Sequence, residues 1–516
     1  MTYERAIRKR NLITPRFKQT TDLYLFNKDK KISLMNVFSE EDHKDIQGLV
    51  LFGYAHAKSA KYLMLEFTDV PKSKQWLSTI AEEITRKSKV FDKKREVFNL
   101  AFTYQGFQTL GLPQKVLEQF DHEFIEGIDT PHRNRVLGDL GKNAPENWYW
   151  GGKKNTSIHA VLCVFGKGDA ELAENEQARK KELVEANIKV IHEMDAISLP
   201  DNKEHFGFRD GISEPVLEGT VKHKTNSNTD NVVRLGEFVL GFENEYNEVN
   251  SSPLVLSSED VHDILPYRES YKDFGRNGSY MVFRQLKQNV QEFWKYMDEQ
   301  SEGNEEMVKL ATKMVGRWPS GAPLTKHPDA DPYENGQTTD DDSFGYRTDD
   351  ADGHKCPIGS HLRRSNPRDA LADTSSKEES TMLVNRHRIL RRGRAYGQPS
   401  SESMLPEDLK NNTPKDETGL HFICFNGNLA TQFEFVQHTW LNRATFAGLY
   451  NCPDPLLGVL DPHPTMDPNL DNTFTVEGCP VSKRYKEIPQ FVETVGGEYF
   501  FMPSIRAIKY LASLNE

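Results

Sequence analysis

The fold class turns on three consecutive stretches: His159-Ala160-Val161-Leu162-Cys163-Val164-Phe165, then the Ala/Glu/Lys-rich run 169–187, then Val190-Ile191-His192-Glu193-Met194-Asp195. The first and third are short and largely apolar, as strands are. The middle one is built from strong helix formers. Strand, helix and strand follow one another without the Gly-rich loop of a nucleotide-binding α/β sheet, which points to an α+β arrangement.

Working outward, the apolar run 48–54 between glycines predicts a buried strand, with 61–67 as its partner. Residues 69–87 carry helical spacing at Trp76, Leu77, Ile80 and Ile84. Residues 99–104 read as a further strand, and 106–113 as a short helix stopped by Gly and Pro. In the second half, 237–242, 279–284 and 420–425 read as strands, and 288–300 and 432–444 as helices. Residues 327–353, with the acidic run Asp340-Asp341-Asp342, read as a loop unable to form a core. The pattern gives an N-terminal arm (1–44) and two similar α+β domains (45–222 and 223–516), with no sequence repeat between them.

Composition narrows the functional classes. A net charge of −12 disfavours a general nucleic-acid binder, because phosphate binding needs an excess of positive charge. No apolar run approaches the roughly 18 residues of a membrane-spanning helix. The basic first twenty residues lack the apolar core of a secretory signal. Five cysteines without a CxxC pair argue against a disulfide framework and a structural zinc site. These features predict a soluble cytoplasmic protein, with homo-oligomer formation left open.

Three stretches could carry chemistry. Cys356-Pro357-Ile358-Gly359-Ser360-His361-Leu362-Arg363-Arg364-Ser365-Asn366-Pro367-Arg368-Asp369 sets one histidine among arginines. Arg388-Ile389-Leu390-Arg391-Arg392-Gly393-Arg394-Ala395-Tyr396-Gly397 is a second arginine knot. Guanidinium forks usually meet carboxylates or phosphates. A histidine beside them is a metal ligand, a base or an ordinary loop residue. The third stretch, Gly207-Phe208-Arg209-Asp210-Gly211-Ile212-Ser213-Glu214-Pro215, is on its own an Asp-Gly turn.

Taken together, and in this order, these blocks make the chain resemble the dye-decolourising peroxidases. So do Asp45-Ile46-Gln47-Gly48, Asn99-Leu100-Ala101-Phe102-Thr103, Leu110-Gly111-Leu112-Pro113 and Asn277-Gly278-Ser279-Tyr280. The resemblance spans most of the chain, to at least Asn442. It implies two ferredoxin-like domains with antiparallel sheets, and haem b held mainly by the C-terminal one. It makes His361 the proximal iron ligand, and places Asp210 and Arg391 on the distal face where hydrogen peroxide binds. Arg368 would pair with a haem propionate, and Leu420 and Phe422 would line the distal pocket. Insertion-like material in the acidic loop and between His361 and Arg391 departs from compact family members.

The implied chemistry suits these residue types. Iron held by one axial nitrogen keeps its other face open, and a carboxylate on the far side of the imidazole would raise its basicity. Which acid does this is not legible in the sequence. Asp210 would carry a proton between the two peroxide oxygens, and an ordinary aspartate, titrating near about 3.9, is compatible with activity at acidic pH. Arg391 would stabilise charge as the O–O bond breaks. A ferryl haem would then oxidise organic electron donors such as dyes and phenolics, bulky ones through Trp148, Trp150, Trp440 or Tyr396. Two other readings stay open: a haem carrier without turnover, and an anion- or RNA-binding protein that uses the arginines of 386–394.

Overall fold

In the first half of the chain, strand β1 (Ser59–Phe67), helix α1 (Val70–Ile80), β2 (Val97–Phe102), β3 (Ala160–Gly166), α2 (Asp169–Glu185) and β4 (Ile188–Ile197) follow one another. They belong to a computed structural model that describes residues 38–86, 96–225, 228–333, 336–371, 376–459 and 473–514. The expected arm 1–44 lies outside the described residues up to 37. Its last residues start a helix, Glu40–Asp45, closed by a Ser39/Asp42 capping box.

The four strands of this half are hydrogen-bonded in the order β4-β1-β3-β2, all antiparallel, which is the ferredoxin-like order. The second half repeats it. Its elements are β5 (Ser279–Gln288), α3 (Val290–Glu299), α4 (Asn304–Val315), α5 (His361–Ser365), α6 (Lys377–Asn385), β6 (Arg394–Tyr396), β7 (Gly419–Asn426), β8 (Val492–Met502) and α7 (Ile505–Ser513). Here the order is β6-β7-β5-β8. The two sheets also join each other. β2 meets β8 at Phe102–Phe501, and β4 meets β6 at Ile197–Ala395, so eight strands close into one ring.

Closure explains why the strands read as continuous apolar runs. Alternate residues (Tyr62 and Met64, Cys163 and Phe165, Met281 and Phe283, Ile423 and Phe425, Phe500 and Met502) fill one buried cluster inside the ring. Their neighbours (Leu63, Leu162, Val164, Val282, Phe501) form another with Trp76 and Leu77 of α1 and Ile508 and Leu511 of α7. A sheet covered on both faces has no polar face to alternate with.

That two-sided burial also misleads. The run 48–54 is a short helix, Gly48–Leu51, and β1 pairs with β3 and β4 instead. Residues 237–242 are no strand either. A 3-10 turn, Leu235–Glu237, is followed by buried turns through Gly241 at φ +93°. Residues 237–242 are buried throughout and 48–50 are buried too, and such short apolar runs lack the periodicity that separates strand from helix. The helix expected over 432–444 is present but ends at Leu441, and it is wound as π-helix over Ala430–Glu434 and Val436–Leu441. The loop 327–353 does contribute to a core: Phe344 and Tyr346 pack with Trp318, Leu324 and Cys356. Among the described residues, no helix is long and apolar enough to cross a membrane.

The β4–β6 seam has a single paired register, and the second arginine knot reinforces it. Arg394 donates to the carbonyls of Ala57 (2.6 Å) and Tyr54 (2.9 Å) and to Ser198 Oγ (3.1 Å). Arg392 donates to the carbonyls of Leu49 (3.0 Å) and Val50 (3.1 Å) at the end of the short helix. The knot is thus largely engaged inside the protein, which removes the support for an anion- or RNA-binding surface. Replacing Arg394 by Met strands these carbonyls, so stability should fall by about 2 kcal/mol. The midpoint of urea unfolding measures this.

Candidate active site

The signature 207–215 folds as its two glycines dictate. Gly207 and Gly211 hold φ of +92° and +79°, a region that costs other residues strain. Between them Asp210 is presented to solvent, its side chain about half exposed at 46%. Asp210 Oδ1 accepts from the Gly211 N–H (2.7 Å) and from Arg391 Nη1 (3.2 Å). Asp210 Oδ2 has no hydrogen-bond partner among the described residues.

Arg391 is gripped from two sides. Its Nη2 meets Glu214 Oε1 at 2.7 Å and the Ile212 carbonyl at 3.1 Å, and its backbone N–H donates to Glu214 Oε2 (2.9 Å). Burial alone would lower the guanidinium pKa, but Glu214 and Asp210 outweigh it and raise it. Arg391 therefore stays a fixed positive donor flanked by two carboxylates. Glu214 was not singled out by sequence reasoning, although it stands inside the quoted signature, four residues after Asp210.

His361 opens α5, which stops at Asn366 ahead of Pro367. Its Nδ1 lies 3.0 Å from Asp454 Oδ2, on a side chain with 0% exposure. Asp454 Oδ1 accepts the backbone N–H groups of Leu456 (2.9 Å) and Leu457 (2.8 Å). Burial pushes the Asp454 carboxyl up, but His361 and then Arg364 pull it further down, to below the usual aspartate value. Asp454 is the acid partner that the sequence could not supply. It lies 93 positions from His361 with no local signal linking the two.

The arginines beside His361 point inward. Arg364 donates to the carbonyls of Trp440 (2.8 Å), Cys452 (2.8 Å), Leu441 (3.2 Å) and Arg443 (2.6 Å), tying α5 to the chain that delivers Asp454. Arg363 donates to Asp350 Oδ2 (3.1 Å) and the Cys356 carbonyl (2.8 Å). Arg368, at φ +54°, pairs with the Asp342 carboxylate and donates to Ser213 Oγ (2.9 Å). The acidic run thereby clamps the Asp210 loop: Asp342 also binds Ser213 and Arg317, and Asp340 binds Arg209 (2.8 Å).

One apolar cluster spans both sides of the site. Phe208, two residues before Asp210, shares it with Leu456 and with half-buried Leu362, Leu420, Phe422 and Leu457. His361 is itself only 25% exposed, and with Nδ1 tied to Asp454 its Nε2 is the ring nitrogen left to coordinate. Among the described residues, no group of three or more His, Cys, Asp or Glu side chains is placed to hold a metal ion. A single imidazole beside apolar walls fits a metal that brings its other ligands with it, as haem iron does. The four aromatics expected to relay electrons from the surface (Trp148, Trp150, Trp440 and Tyr396) are instead all buried. Trp150 is fixed in the barrel by a 2.7 Å bond to Gln285.

Comparison with known proteins adds to this geometry. The family model "DyP dimeric alpha+beta barrel domain" matches residues 45–200, and "Dyp-type peroxidase, C-terminal" matches 257–447. The chain is 26% identical over 488 residues to the dye-decolorizing peroxidase msp1 of Mycetinis scorodonius, covering 91% of this chain and 87% of that protein. It is 28% identical over 482 residues to the multifunctional dye peroxidase DyP2 of an Amycolatopsis species, covering 91% and 93%. The crystal structure of a decolorizing peroxidase from Auricularia auricula-judae matches with a TM-score of 0.70 at 25% identity, over 91% of this chain and 99% of that one.

A carboxyl held below its ordinary value stabilises the fold above that value and stops doing so as the pH falls. Asp454→Asn should therefore lower stability at neutral pH by roughly 3–5 kcal/mol, as removing one partner of a buried pair does. The gap to the parent protein should narrow as the pH drops below 3.8, which urea unfolding at the two pH values measures.

Proposed function

The chain belongs to the dye-decolourising peroxidase family, and on that premise we propose that it binds haem b through His361 and uses Asp210 and Arg391 to reduce hydrogen peroxide at the expense of organic donors. Dyes and phenolics are the donor class that its relatives' names suggest. The observation that carries the reading is the pairing of two constellations on one apolar cluster: His361 backed by a buried carboxylate, and Arg391 gripped beside Asp210.

Bound haem would supply the electrons for O–O cleavage and then recover them one at a time from donors. The protein's own part is acid–base and electrostatic. Asp210 Oδ2, unengaged among the described residues, would take the proton from one peroxide oxygen and return it to the other, departing one. Asp210 Oδ1 stays bound to the Gly211 amide, so the carboxylate keeps its aim during the transfer. Arg391 offers its guanidinium to the charge that builds on the departing oxygen, and Glu214 keeps that guanidinium in place at no cost in reorganisation. On the other face, Asp454 accepts from His361 Nδ1–H, fixing the tautomer that leaves Nε2 free and making it a stronger donor to iron. Leu420 and Phe422 would line the peroxide side and exclude water. Arg368 would face a propionate, its charge already balanced in part by Asp342.

Haem-loaded protein should show a Soret band that His361→Ala loses or shifts. Asp210→Asn and Arg391→Leu should keep the band but react with peroxide about 10²-fold more slowly in stopped flow. Absence of a Soret band after haem loading would sink the cofactor assignment, and unchanged rates in the two variants would refute the peroxide-side roles.

A further inference from the structure

Behind Asp210 lies a carboxylate that the proposed chemistry does not use. Residues 202–210 double back on themselves: the Asp210 N–H donates to the Asn202 carbonyl (2.8 Å), the Glu204 N–H to that of Phe208 (2.9 Å), and the Gly207 N–H to that of Glu204 (2.8 Å). At the tip, a Cβ on Gly207 would sit 2.9 Å from Leu409 Cδ1 and 3.0 Å from the Met404 carbonyl. The half-buried Glu204 side chain folds into this turn. Its Oε2 accepts from the Phe206 N–H (2.9 Å) and from Gln288 Nε2 (2.6 Å), and its Oε1 from the Phe208 N–H (3.0 Å). Gln288 is the last residue of the barrel strand β5, so this carboxylate is a polar tie between the Asp210 turn and the barrel. The side chains of the same two phenylalanines rest on α3. Phe206 stacks on Phe293 at 4.4 Å, and Phe208 lies parallel to Trp294 at 6.1 Å.

We propose that Glu204 is a positioning residue for Asp210, its ionised carboxylate holding the turn that presents Asp210 by accepting from Phe206, Phe208 and Gln288. The proposal rests on the reading of Asp210 as the proton carrier. A carboxylate can accept all three donors at once, whereas a proton on either oxygen sets a donor against a donor and loosens the turn. Burial pushes the Glu204 carboxyl up to about 7 against the pull of these three donors, and Asp210 adds to the rise. The charged groups around it are Lys203 and Asp210 on the same turn, with Asp201 and Asp331 beside Lys203 and Arg209 paired to Asp340. His205 turns its Nε2 to the Tyr396 carbonyl (2.8 Å), and β5 and α3 face the turn with neutral Gln288, Phe293 and Trp294.

The test compares Glu204→Gln, Glu204→Asp and Asp210→Asn in haem-loaded protein. Glu204→Gln keeps the shape but sets an amide NH2 against the donors. Above neutral pH its kcat/KM for peroxide should fall about tenfold, with the Soret band kept. The gap to the parent enzyme should close as the pH falls through about 7, where the native carboxyl takes up its proton. Glu204→Asp, which keeps the charge, should retain an inflection of kcat/KM with pH that Glu204→Gln lacks. Amide hydrogen exchange at Phe206 and Phe208 should rise in Glu204→Gln, with or without haem. Unchanged kcat/KM and exchange overturn the proposal, and so does a slow Glu204→Gln whose pH profile parallels the parent's, which marks a merely structural part. If Glu204→Gln does not fold, native rates in both Glu204→Asp and Gln288→Met overturn it. A native rate in Asp210→Asn refutes the reading of Asp210, and this inference with it. A slow Asp210→Asn beside a native Glu204→Gln refutes this inference alone.

Discussion

Asp454 is a carboxylate with no exposed surface, and a buried charge must be compensated where it stands. Compensation comes from the His361 ring, from two backbone amides and from the nearby Arg364 guanidinium. Each of these ties fixes something else. Arg364, spending its donors on four carbonyls between 440 and 452, locks the loop that carries Asp454 to the helix that carries His361. The imidazole is left with one orientation, one tautomer and one free nitrogen. The His361 side of the site follows from satisfying this one buried charge.

The opposite half is organised by charge on a more exposed surface. Two carboxylates hold Arg391, a third on the acidic loop holds Arg368 and Ser213, and a fourth, Glu204, holds the turn from within. These groups come from positions far apart in the chain. They meet because the closed ring brings the end of β5, the β6 edge and the 202–215 segment to one place. Joining two ferredoxin-like halves through short seams leaves little strand pairing there, and at the β4–β6 seam Arg392 and Arg394 add hydrogen bonds to backbone carbonyls nearby.

Much of this was legible in the sequence, and the failures have physical causes. The strands 159–165 and 279–284 and the helix 169–187 were readable because length and propensity agreed. The runs 48–54 and 237–242 were not, since a short apolar run shows no period that separates helix from strand. The signature 207–215 read by itself as an Asp-Gly turn, and Asp210 stood out only through the family resemblance; the positive φ of both glycines is what shapes that turn. Glu214 sat in the same signature but needed a partner 177 positions away to acquire meaning. Asp454 carried no signal: a single Asp between prolines becomes a histidine's partner only once Arg364 has folded the loop beneath it. The arginine-rich stretches misled in the other direction. They looked like a surface for anions, whereas Arg363, Arg364, Arg392 and Arg394 spend their donors mainly on backbone carbonyls.

The account stands on His361 as the iron ligand and Asp454 as the acid that strengthens it. Resonance Raman spectroscopy of the reduced, haem-loaded protein tests both at once through the iron–histidine stretch. The account predicts that stretch in the native protein, and a shift to lower frequency in Asp454→Asn, where the imidazole loses its charged acceptor. No iron–histidine band, or a band indifferent to Asp454, would contradict it.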